Sequence, residues 1–162
     1  MEKELAELTR NLSPEVRNEL TDLFKLYETT RLGYEVQNAQ INDLYDETLL
    51  ENDFRADKDG GRMGIKKGDR VLSHEYDFLL SDGEFSRLLV LTGKKLTAAG
   101  ICDKNGYYVT NWMMQTIRAK NHLIDFIIKN IVPEKFRPLF WENRRNVTKM
   151  DKLLDITKPL VA

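Results

Sequence analysis

Apolar and weakly polar side chains recur at alternating steps of four and three along the first third of the chain: Val16, Leu20, Leu23, Tyr27, Thr30, Tyr34, Gln37, Ile41, Leu44 and Thr48. This heptad spacing predicts one seam along a helix of about ten turns, roughly 50 Å long at 1.5 Å per residue. A seam of that length needs another helix against it, because an amphipathic helix draws most of its stability from the surface it packs on. The expectation is a homo-oligomer paired through Val16, Leu20, Leu23, Tyr27, Tyr34, Ile41 and Leu44, or a bundle built round one long helix. Ser13-Pro14-Glu15 marks its start, with a capping serine, proline at the first helical position and an acidic first turn. Thr30 and Gln37 make the middle of the seam polar, which tends to fix register and partner number. Gly33 offers the alternative of a break into a helical hairpin.

Residues 2 to 12 form a short leading helix on this reading. Residues 51 to 70 are loop-like, rich in glycine and charge, and cannot build a core. Lys66-Lys67-Gly68-Asp69 suits a turn between strands at Met63 to Lys66 and Arg70 to Tyr76. Ser81 and Glu84 stand at the reciprocal positions of a capping box, opening a helix that runs to about Lys95. Asn105-Gly106 is a tight-turn signal that would pair Gly100 to Cys102 with Tyr107 to Val109. From Trp112 to Val132 a wide apolar arc that includes Met113, Ile117, Leu123, Ile124, Phe126, Ile127, Ile128 and Ile131 predicts the central core helix, stopped by Pro133. Short helices at about Glu134 to Glu142 and Thr148 to Thr157 complete the chain. The fold class expected is mainly α, with one or two small β-hairpins. Its organisation is an acidic helical arm over 1–52, a charged glycine-rich loop and ribbon over 53–80, and a helical body over 81–162.

Composition adjusts this picture in two ways. At 162 residues the chain can bury a real core, and a single cysteine, Cys102, rules out an internal disulfide. No secretion-like leader and no apolar run long enough for a bilayer is evident, so a cytoplasmic protein without membrane contact is expected. The net charge of −1 conceals an asymmetry: six basic against fourteen acidic residues over 1–57, nine against seven over 58–111, ten against five over 112–162. An acidic arm ahead of a basic body allows head-to-tail docking of subunits or the capture of an anionic partner. Solvated faces are the plain alternative.

Candidate chemistry is sparse. The segment GGRMGIKKGDR brings glycine N–H groups together with Arg62, Lys66, Lys67 and Arg70, a possible cradle for a nucleotide-like anion, although it matches no phosphate-loop pattern. A calcium loop starting at Asp53 would put Arg55 at a ligand position and Lys58 at the glycine position, so no metal is expected. Cys102 has no evident activating base, and His122 with Asp125 reads as a local pair on one helix face, so no catalytic residue is assigned. A helix bearing Lys94 and Lys95, a turn bearing Lys104 and a long apolar helix imitate the order of a winged-helix DNA-binding regulator that dimerises through its long helices. The bracing helices such a domain needs upstream are missing. Finally, FRPLFWENRRNVTKMDK sets Arg144 and Arg145 among Phe136, Phe140 and Trp141, either as an anion or nucleic-acid contact or as one buried aromatic face with arginines outside. The function expected is a non-enzymatic, oligomeric binding protein without cofactor, of the inhibitor or adaptor type that phages and mobile elements encode. Its partner would be a protein or a nucleic acid, and the regulator is the alternative.

Overall fold

A computed structural model describes residues 3, 12–56, 66–70, 80 and 82–161. Within them the fold is mainly α, with five helices: α1 (Pro14–Glu51), α2 (Asp82–Ala98), α3 (Trp112–Asn130), α4 (Arg137–Glu142) and α5 (Val147–Thr157). The expected helix over residues 2 to 12 and the strands at Met63 to Lys66 and Arg70 to Tyr76 lie largely outside the described residues. Two compact units divide the chain: Met1–Tyr34 with Trp112–Ala162, and Glu35–Asn111.

The start of α1 follows from its cap, since the Val16 amide donates to the Ser13 hydroxyl at 3.2 Å. The helix then continues unbroken through Gly33, so the helical-hairpin alternative does not hold. Gly33 serves close approach rather than bending. A Cβ placed there would stand 2.6 Å from Cε3 and 2.7 Å from Cδ2 of the Trp112 indole, which therefore lies directly on the helix backbone.

In the first unit, α1 packs on α3 and α5. Leu20 and Phe24 join Leu123, Ile124, Ile127, Ile128, Ile131, Val132, Met150, Leu153 and Leu154 in one buried cluster, with Val16, Leu23 and Tyr27 packed against it. The first half of the seam is thus covered from within the same chain. Thr30 sits in this stretch without leaving a polar gap, because its hydroxyl donates to the carbonyls of Leu26 (3.0 Å) and Tyr27 (2.9 Å) on its own helix. The central role expected of α3 holds over its last three turns, whereas Met113 and Ile117, expected in the core, are exposed. An Asn146 cap, accepting from the Lys149 amide at 3.1 Å, opens α5 one residue earlier than Thr148.

In the second unit Leu49, Phe54 and Leu88 are buried together, and Lys95 Nζ lies 2.9 Å from Glu47 Oε1 and 2.6 Å from Glu51 Oε2. Gln37 leaves the seam's pattern by donating from Nε2 to the Thr110 carbonyl at 3.1 Å. No strand occurs among the described residues: the hairpin expected between Gly100 to Cys102 and Tyr107 to Val109 is present as a single bridge, and the ribbon expected between Met63 to Lys66 and Arg70 to Tyr76 lies largely outside them. Cys102 pairs with Tyr108 around a turn in which Gly106 has φ +85°. Arg70 forms an isolated bridge with Arg55, and just before it the Asp69 amide donates to the Lys66 carbonyl at 3.0 Å in a turn where Gly68 has φ +90°. No described helix is long and apolar enough to cross a membrane.

Candidate binding groove

The described residues of the first unit enclose a groove of about 600 Å³ between α3, α4 and the start of α5. Its floor is Ile124 and Met150, both buried in the core cluster. Its walls are Trp141 and Val147, which remain 44% and 64% exposed. Lys120, Asn121, Asp125, Arg144 and Arg145 form the polar rim. A few hundred cubic ångströms of apolar space with convergent polar groups is the usual form of a ligand or side-chain pocket.

The rim is ordered by tertiary hydrogen bonds. Arg144, in the turn between α4 and α5, donates from Nε to Asp125 Oδ1 at 2.7 Å and from Nη2 to the Asn121 carbonyl at 3.0 Å. Lys120 Nζ pairs with Asp151 Oδ1 at 2.8 Å. Phe136 and Phe140 turn into the core as the buried-face reading expects, while Trp141 does not. Two rings of the aromatic run pack against the core and the third is left at the surface. Arg145 is exposed and has no ion-pair partner among the described residues. Two of the rim cations are matched by carboxylates and one is in excess.

Of the cations singled out in the sequence, only Arg144 and Arg145 meet here. Arg62 lies outside the described residues, and Lys66, Lys67 and Arg70 stand exposed on one turn of the second unit. Lys94 and Lys104 are exposed, but Lys95 is clasped by Glu47 and Glu51, which raises its pKa and lowers that of Glu47. Asp125 is bound to Arg144 rather than paired with His122, which is exposed. Burial, reinforced by the neighbouring Asp103 charge, pushes the Cys102 thiol up and keeps it protonated at neutral pH. Lys120 and Asn121 were missed, and Asp125 was read only as a partner of His122, because they belong to a different helix from the aromatic-basic run. Their i, i+1, i+5 positions on α3 carry no motif. Among the described residues no group of acidic, histidine or cysteine side chains could hold a metal ion. Compared with protein-family models, with curated proteins and with solved structures, the chain matches none.

Proposed function

We propose that this is a non-enzymatic binding protein of the cytoplasm, of inhibitor or adaptor type, which engages a macromolecular partner through the groove on α3, α4 and α5. The observation that carries the reading is the exposed pair Trp141 and Val147 beside Arg145, an unmatched cation over a buried apolar floor. Exposed aromatic and arginine side chains at a concave site are the residue types that dominate binding energy at protein interfaces. A protonated Cys102 and a solvent-facing His122 favour binding over turnover. The regulator reading draws less support, since a lysine held between two carboxylates offers little to a phosphate.

The test is a paired one on affinity-captured protein from the expression host. Trp141→Ala with Arg145→Glu is expected to lose the bound partner while keeping the wild-type melting temperature. Lys94→Ala with Lys104→Ala is expected to keep it. The reverse result, above all with a nuclease-sensitive partner, moves the site to α2 and the following turn and favours DNA binding.

A further inference from the structure

Leftover charge of the opposite sign occurs beside an apolar protrusion of the second unit. At the end of α1, Leu50 is 70% exposed, and Asp46 and Asp43 precede it by four and seven residues on the same helix face. Neither aspartate has an ion-pair partner among the described residues. Glu47 and Glu51, beside them, share the single cation Lys95, and Asp53 is matched by Arg55 at 3.1 Å. Counting these side chains leaves five carboxylates against two cations. The groove has the converse surplus, with Lys120, Arg144 and Arg145 against Asp125 and Asp151.

Resting on the groove as the binding surface, we infer that its occupant is a second copy of this chain, which inserts Leu50 between Trp141 and Val147 and places Asp46 or Asp43 against Arg145. A leucine side chain fits easily in a 600 Å³ groove, and covering it removes three exposed apolar side chains from water at once. Such a contact joins two different patches, so it is heterologous: a pair of copies keeps one free knob and one free groove, and association continues into a ring or a chain. A nucleic acid is the poorer occupant, because Asp125 and Asp151 lie among the rim cations and would face a dense row of phosphates.

The experiment is sedimentation velocity on the full chain from micromolar to millimolar concentration, with Arg145→Glu as the broken groove and Leu50→Lys as the broken knob. Both positions are exposed, and circular dichroism checks that both variants stay folded. Wild type is expected to associate with rising concentration. Each variant alone should associate at least about tenfold more weakly. An equimolar mixture of the two should form a heterodimer that grows no further, because it contains one intact knob and one intact groove. Monomeric wild type throughout the range, association untouched by either variant, or a mixture that stays monomeric would each overturn the inference. If the wild type is monomeric yet the groove variants still lose a captured partner, the binding reading stands and only the second copy is ruled out.

Discussion

The two halves of α1 carry one heptad pattern and meet different fates. From Val16 to Thr30 the seam sinks into the core of the first unit, with Leu20 fully buried. From Tyr34 to Leu44 the same spacing leaves Tyr34, Ile41 and Leu44 half-buried, and full burial returns only at Thr48 and Leu49. A heptad therefore says that a stripe is to be covered, but neither by what nor how deeply. Depth is set by the facing helices, and in the first unit α3 and α5 bring their aliphatic residues onto Val16, Leu20, Leu23 and Tyr27.

The sharpest way to break this contrast is to make one chemical change at both ends of the seam. Leu20→Ala is expected to cost about 3–4 kcal/mol of stability, in the range for a filled core site, and Leu44→Ala about 1–2 kcal/mol, because a half-buried side chain leaves less of a cavity. Urea denaturation followed by circular dichroism measures both, and equal losses would mean that the halves are equally packed.

A smaller effect separates the halves at Gly33. Adding a methyl group there drives into the Trp112 ring, so Gly33→Ala should lose about 1–3 kcal/mol despite alanine's better helix propensity. In a Trp112→Ala background the same change should reverse sign and gain up to about 1 kcal/mol. A double-mutant cycle with no coupling would show that the indole does not rest on the helix.

Least costly is the clasp on the second half. Glu47's lowered pKa stabilises the fold above the ordinary carboxylate range, and that contribution disappears as pH falls through the lowered value. The raised pKa of Lys95 contributes below the ordinary lysine range and is lost as pH rises through the raised value. Lys95→Met should therefore lower the melting temperature slightly and evenly across neutral pH, with the difference from wild type closing in acid and again in strong base. A difference that persists in acid would point to packing of the lysine stem instead.

Much of the fold was readable locally. Ser13 and Pro14 begin α1, the long apolar arc marks α3, and Asn105-Gly106 makes the turn, because each signal acts within a few residues. Gly33 was misread as a weakness, since its reason is an indole seventy-nine positions away that no local rule sees. The exposure of Met113 and Ile117 was missed for a related reason: periodicity marks a face as apolar without showing where the covering helices stop. Half of the groove was visible in the aromatic-basic run around Trp141, Arg144 and Arg145. Its other half, on α3, is brought there by packing alone.

The first unit is discontinuous, with seventy-seven residues, Glu35–Asn111, between its two pieces. During synthesis the first half of α1 leaves the ribosome long before α3 and α5 exist to cover it. Its apolar seam is bare throughout that interval, and the later closure spans a long loop whose entropic cost grows only logarithmically with length. A nascent chain stalled before Trp112 would thus present Leu20 and Phe24 to whatever helix is nearest, and in a polysome that helix belongs to a sister chain.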